Sequence, residues 1–386
     1  MTRTVMIDAL GIDQVGGVRT GIHNLLGAVF RLERELRFTV LLSKREPLWD
    51  EYRNVRQMIV RARHRFFLRI LLQCQLPIWA RRQRAGLVHF TKNLGVFGLS
   101  CPYIVTVHDL TTLRLSGHHT HADVVYWRWI EPRTVRGAAR VVTVSHDTAR
   151  DVERFYGIST RQIEVIYWAP HERFAPIRDA PRLENMRRRY HLPERYILFV
   201  GILAKKKNLP TLLRALAQLR ARMPGAPDLV VAGREYPQSA DIVSTALARE
   251  LGLVENVHFA GAVPDEDLPL FYSGSELYIL PSLHEGFGIP CLEAMACGVP
   301  VIVTRAGALP EIVGDAALVV DSPLDAAGLS MAMERLLRDG ALREEMIGRG
   351  YRRAGSFSWE RSAQRMLDVY YSVLDGGSSR CEDGQA

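Results

Sequence analysis

The chain has 386 residues, 47% apolar and 24% charged, which excludes a disordered or low-complexity protein and supplies apolar surface for two or three cores rather than one. No run of eighteen apolar residues occurs, Met1-Thr-Arg-Thr leads straight into a strand-like run, and Cys74, Cys101, Cys291, Cys297 and Cys381 are scattered without metal-ligand spacing; a membrane span, a secretory leader and a disulfide scaffold are therefore not expected, and a reduced, cytoplasmic setting is. The net charge of +8 is uneven: residues 1–100 carry 17 Lys or Arg against 7 Asp or Glu, so the excess lies in the first quarter and points to an anionic acceptor, a membrane surface or nucleic acid.

Thr4–Ile7 is the first strand-like run, and Gly16-Gly17 follows it, ahead of a helix predicted to begin near Arg19 or Thr20. Such a pair can bring bare backbone amides to a phosphate, or be a plain turn; the G-x-G-x-x-G fingerprint is absent. After the run Phe38–Leu42, the segment Arg61–Arg84 places Phe67, Ile70 or Leu71, Cys74 and Ile78 near one helical face with Arg at both ends, although Pro77 interrupts the pattern. That face could lie on an anionic leaflet or pack on a sheet. The basic residues carry no RNA-binding or helix-turn-helix signature, so nucleic acid is not expected.

Leu87–Phe90, Tyr103–Val107, Val141–Val144 and Ile163–Ile166 complete a first set of strands. His108-Asp109 closes one of them at its carboxyl end, where the His is either a sugar-binding partner or a loop residue and the Asp orients it or caps the next helix. Ser145, at the end of Val141–Val144, is either a functional residue or the N-cap of a helix predicted over Asp147–Phe155. Ala169–Arg189, rich in Pro and charge, reads as a linker, which gives a first domain over 1–178 and a second over 179–358.

The second set of runs is Tyr196–Val200, Leu229–Ala232, Val257–Ala260, Leu277–Leu280, Val299–Val303 and Ala317–Val320. Strands alternating twice over with helical patterns predict an α/β chain of two doubly wound parallel sheets. Lys205-Lys206-Lys207-Asn208 lies after the first of these strands and before a helix over Pro210–Arg222. Ammonium groups at a strand's carboxyl end can neutralise a diphosphate leaving group, each pair at 4 Å contributing roughly 4 kcal/mol at an effective dielectric near 20, before desolvation. A helix after Trp359, with Ala363, Met366, Leu367, Val369, Tyr370 and Val373 as apolar positions, occupies 359–375, and 376–386 reads as a disordered tail.

Leu280–Pro300 is the most informative segment, because Glu285 and Glu293 flank a glycine-rich turn and a helix start. Gly286 and Gly288 let the backbone come close to a ligand, Pro290 suits a first helical turn, and Gly298 with Pro300 stops the helix. Carboxylates beside free helix N–H groups suit a ligand with hydroxyls and negative charge, such as a sugar nucleotide: Glu285 for sugar hydroxyls, Glu293 for ribose. No D-x-D is read as a metal–diphosphate bridge between strand and loop, so no metal is expected.

Glu285-Gly-Phe287-Gly-x-Pro-x-x-Glu293, the following Ala-Met-Ala-Cys-Gly-Val-Pro-Val-Ile, and Gly307-Ala-Leu-Pro-Glu311 together resemble the donor-site signature of the retaining GT-B glycosyltransferases of family 4. The likeness runs from Gly16-Gly17 to Phe357-Ser-Trp359, strongest from Tyr196 onward. It implies two Rossmann-like domains facing a cleft, the C-terminal helix crossing back to the first. It implies catalytic roles for Glu285, His108 and Lys207, and donor binding by Gly16, Gly17, Lys206, Asn208, Gly286, Phe287, Gly288 and Glu293. The family's Arg after the strand glycine is Ile202 here, a contact that Lys206 would replace.

By the same resemblance, a hexose, mannose-like or other, moves with retention from a nucleotide diphosphate sugar to a saccharide or lipid-linked saccharide in cell-surface polysaccharide synthesis. The departing phosphate oxygen serves as base. The setting is cytoplasmic, with residues 61–84 meeting the inner face of the membrane if they do not pack internally. A sugar-nucleotide epimerase, a phosphorylase or synthase, and a silent nucleotide-binding protein are the alternatives on the same fold.

Overall fold

The structure, a computed structural model, describes residues 3–10, 12, 16–60, 65–114, 129–234 and 244–376, with the side chains of 65–70 and 244 outside the description. The readings placed on residues 61–64 and on the tail from 377 lie outside it. The chain divides into two compact units, one of Met1–Trp168 with Ser358–Ala386 and one of Ala169–Phe357. The second unit thus begins before residue 179, where the sequence reading put it.

The first unit holds strands β1 (Thr4–Asp8), β2 (Arg37–Leu42), β3 (Val55–Ile59), β4 (Ala85–Phe90), β5 (Tyr103–Val107), β6 (Arg140–Thr143) and β7 (Ile163–Val165) in the order β3-β2-β1-β4-β5-β6-β7. All pairs are parallel. β3 was not foreseen, since Val-Arg-Gln-Met-Ile is an edge strand that stays partly exposed and has no apolar run. On one face, Val5, Ile7, Phe38 and Val40 pack with Ile22, Leu26 and Val29 of the helix Gly17–Leu32 and with Met366, Tyr370 and Val373 of the helix Trp359–Gly376. Tyr370 also sits 2.7 Å from buried His89, which meets Thr106 Oγ1 at 2.8 Å.

On the other face, Leu72, Leu76 and Ala80 of the helix Arg65–Arg82 pack beside Met6, Val88 and Val105. Pro77 lies inside that helix without ending it. The buried stripe is therefore Leu72-Leu76-Ala80, not the face through Cys74 and Ile78, both of which are exposed.

The second unit holds β8 (Tyr196–Val200), β9 (Asp228–Ala232), β10 (Val257–Gly261), β11 (Leu277–Leu280), β12 (Val301–Thr304) and β13 (Ala317–Val320) in the order β10-β9-β8-β11-β12-β13, again parallel. Ile197–Phe199, Leu229–Val231, Leu277–Leu280 and Val301–Val303 are wholly buried, as expected of strands covered by helices on both faces. The supposed linker contains a helix, Ala180–Tyr190, capped by the Asp179 side chain accepting from Arg182 N–H at 3.0 Å. It buries only Met186, so it shows no apolar period in the sequence.

Candidate functional site

Parallel pairing of β11 with β8 and β12 brings the carboxyl ends of these three central strands to one edge of the second sheet, where open sheets bind ligands. After β8 the lysines form a single 3-10 turn, Lys205–Lys207, and Asn208 follows in a left-handed conformation with φ of 56°. Asn208 Nδ2 donates to the carbonyls of Pro281 (3.0 Å) and Pro323 (2.6 Å), and its Oδ1 accepts from the Thr211 hydroxyl at 2.8 Å. These bonds tie the end of the lysine turn to the residues Pro281, Pro323 and Thr211.

The loops after β8, β11 and β12 form one hydrogen-bonded block. Leu283 N–H donates to Lys206 O at 2.7 Å, Ala308 N–H to Glu285 O at 2.9 Å, and the Thr304 hydroxyl to Ser282 O at 2.7 Å. Gly307, at φ of 60°, permits a close approach, for a Cβ there would stand 2.3 Å from Glu285 O.

Lys207 Nζ lies 2.7 Å from Glu285 Oε1, which also accepts from Ser282 Oγ at 2.6 Å. The two charged side chains are only 12% and 9% exposed. Burial by itself would raise the Glu285 carboxyl, but the charges of Lys207 and Lys206 and the two hydrogen bonds outweigh it, and the group is held below its ordinary value. Glu285 is thus a fixed carboxylate with a fixed counter-charge.

Gly286 is buried, Phe287 packs its ring edge-on to Phe357 at 6.0 Å, and Gly288 caps the helix Ile289–Ala296 with φ of 94° and Pro290 in the first turn. Glu293 lies on that helix, 6% exposed, its Oε2 accepting from the Tyr272 hydroxyl at 2.9 Å. Burial pushes its carboxyl up to about 7 against the lowering effect of Tyr272. Two carboxyls on one block therefore differ at neutral pH: Glu285 is ionised and Glu293 is poised.

In the first unit, Gly16 has φ of 138° and is the N-cap of the helix, which starts at Gly17, earlier than predicted. His108 is buried at the end of β5 with Nε2 2.6 Å from Thr91 O. A carbonyl only accepts, so Nε2 carries the hydrogen and Nδ1, buried and without a hydrogen-bond partner among the described residues, offers a lone pair. Burial lowers the ring to about 4 despite the Thr91 hydrogen bond and the Asp109 charge, so it is neutral at physiological pH. The Trp168 ring lies 5.3 Å from it, tilted by 48°. Asp109 Oδ1 accepts from Thr111 N–H at 3.1 Å and starts the next turn, while Ser145 accepts from Thr148 N–H at 3.1 Å as an N-cap.

Sequence reasoning missed Tyr272, whose partner Glu293 lies 21 positions away, Ser282, which bonds Glu285 three positions on, and Asp8, buried at the end of β1 with its carboxyl pushed up to about 6 by burial. It also passed over one D-x-D triplet, Asp265-Glu266-Asp267, after β10. The Asp267 carboxylate is engaged by the Tyr190 hydroxyl and by Arg189 at 3.2 Å.

Residues 184–353 match the family Glycosyl transferases group 1, and residues 15–169 match Glycosyltransferase Family 4. O-antigen chain mannosyltransferase B of Escherichia coli is 30% identical over 301 residues, 78% of each chain. The chain also matches longer E. coli proteins named serotype-specific mannosyltransferase, of which it spans 30%. Among solved structures, sucrose-phosphate synthase from Thermosynechococcus elongatus superposes with a TM-score of 0.78 at 21% identity, over 97% of this chain and 100% of that one. HepE of Anabaena in complex with UDP-glucose superposes with a TM-score of 0.76 at 17% identity, over 96% and 99%. With two Rossmann-like parallel sheets in hand and both halves matched, the chain belongs to the family 4, group 1 glycosyltransferases of GT-B fold.

Proposed function

We propose that this glycosyltransferase moves a hexose, mannose-like, from a nucleotide diphosphate sugar to a saccharide or lipid-linked saccharide with retention of anomeric configuration, in cell-surface polysaccharide assembly. The observation that carries the reading is the buried Lys207–Glu285 pair at the carboxyl ends of β8 and β11. In the reaction the bond between the sugar's anomeric carbon and the phosphate oxygen breaks, its electron pair leaving with the diphosphate. The acceptor oxygen bonds to the same face, and its proton passes to the departing phosphate oxygen.

Lys206 and Lys207 stabilise the charge that grows on the diphosphate, and only that growing part accelerates the step. Glu285 accepts from hydroxyls of the sugar and Glu293 from those of the ribose. The amides of Gly286-Phe287-Gly288 and of the helix start serve the diphosphate, as do those of Gly16-Gly17. His108, acting through its Nδ1 lone pair, accepts from a sugar hydroxyl. The transfer is metal-independent, a reading supported by the engagement of Asp267 with Tyr190 and Arg189.

The polysaccharide setting draws on the E. coli O-antigen relative. The proposed location is the cytoplasm at the inner membrane face, the contact running through the outer side of the helix Arg65–Arg82, where Cys74, Ile78, Arg81 and Arg82 are exposed. No helix among the described residues is long and apolar enough to cross a membrane.

Incubating the full chain with GDP-mannose and with UDP-glucose, each with an oligosaccharide acceptor, and reading the product's anomeric signals by NMR tests the proposal. An α-linked donor giving an α-linked product supports it. A β-linked product refutes retention, and sugar-nucleotide interconversion without acceptor establishes the epimerase instead.

A further inference from the structure

We propose that Tyr272 is a positioning residue for the donor nucleotide: its phenol holds the Glu293 carboxylate so that one oxygen is committed to the protein and the other faces the ligand. The proposal rests on the reading that Glu293 accepts from the ribose. Tyr272 is wholly buried on the short helix Leu268–Ser273, its ring edge-on to Tyr278 at 5.5 Å and to Phe174 at 5.8 Å, so the phenol has one orientation. Its hydroxyl donates to Glu293 Oε2 at 2.9 Å, and among the described residues Oε1 makes no hydrogen bond.

A protonated carboxyl has an O–H to place and a weaker acceptor. An ionised one accepts from both hydroxyls of a vicinal diol. A phenol donor favours the ionised form, because it bonds the charge more strongly than the neutral acid. The groups acting on Glu293 are Tyr272, Asp265 and Arg173, and Glu293 in turn acts on Tyr278, Cys291 and Cys297. Arg173 favours the charge and Asp265 opposes it, so Tyr272 is the one hydrogen bond that tips a buried carboxyl toward ionisation.

The test is calorimetric titration of the full chain with GDP and with UDP on both sides of neutral pH, for the parent, Tyr272→Phe, Glu293→Gln and the double variant. Phe keeps the ring packing and removes only the hydroxyl. Expected for Tyr272→Phe are a roughly tenfold weaker Kd at neutral pH and a rise of about one unit in the pH at which binding fades. In the Glu293→Gln background, Tyr272→Phe should add nothing.

An equal loss in both backgrounds would show a merely structural role and overturn the proposal. So would an unchanged Kd and pH profile in Tyr272→Phe while Glu293→Gln weakens binding. If Glu293→Gln itself binds as tightly as the parent, or the parent binds neither nucleotide, the ribose reading fails and the proposal falls with it. Should Tyr272→Phe not fold, Tyr272→Trp, which restores a ring donor, must bind more tightly than Tyr272→Leu, and the reverse order refutes the role.

Discussion

Lys207 and Glu285, 78 positions apart in the chain, meet at 2.7 Å with both side chains nearly buried. An ion pair in so dry a place contributes little net stability, because desolvation consumes most of the attraction. Its value is geometric: the carboxylate is oriented by Lys207 and Ser282, and the lysine by Glu285, before a donor arrives.

Replacing Glu285 by Gln keeps an acceptor for Ser282 and removes the charge. Turnover should fall about a hundredfold, and the melting temperature should fall as well, because the nearly buried Lys207 ammonium loses its counter-charge. Steady-state rates and a thermal melt check this; near-parental turnover refutes the assigned role. Lys207→Ala should lose at least as much rate, and also stability, since it leaves a buried carboxylate with Lys206 as its remaining nearby charge.

Glu293 gives a pH signature of opposite sign. Its folded value is raised from 4.5 to about 7, so between those values the folded state binds more protons than the unfolded one. The group's contribution to stability is full below its unfolded value and is lost as pH rises through its folded one, a change of up to about 3 kcal/mol. Glu293→Gln should therefore gain on the parent in melting temperature as pH is raised from acid to mildly alkaline. A difference that stays flat, or shrinks, contradicts the buried placement.

Gly307 tests the loop block. Its φ of 60° and the 2.3 Å approach of a Cβ to Glu285 O mean that Gly307→Ala must displace backbone. A loss of about 1–3 kcal/mol is expected, with a parallel fall in turnover as Glu285 shifts. Gly225→Ala, which meets open space, is the control and should be silent in both assays.

Removal of divalent cations should leave the rate intact. Activity abolished by EDTA and restored by magnesium would show that a cation bridges the diphosphate, with Asp265 as the first carboxylate to examine.

Much of this was legible in sequence because parallel strands buried on both faces read as unbroken apolar runs, as Tyr196–Val200 and Leu277–Leu280 do. The glycine and proline punctuation around Glu285 fixed the turn and the helix start in the same way. What stayed hidden had no local signature. β3 carries adjacent Arg and Gln in a five-residue edge strand, and Ala180–Tyr190 buries a single Met. Pro77 suggested a break that the rest of its helix overrides. Tyr272 and Ser282 are ordinary core residues until the fold places them on Glu293 and Glu285. The Asn208 amide reaches carbonyls 73 and 115 positions away, contacts that spacing alone does not reveal.

The central claim is that the block bearing Lys206, Lys207, Glu285 and Glu293 grips a nucleotide sugar. A crystal structure of the full chain with a bound nucleoside diphosphate tests it most directly. The account predicts diphosphate oxygens within hydrogen-bonding distance of Lys206 or Lys207 and ribose hydroxyls on Glu293. Nucleotide density at a distance from these residues, with the Lys207–Glu285 pair and the Tyr272–Glu293 bond undisturbed, would contradict it.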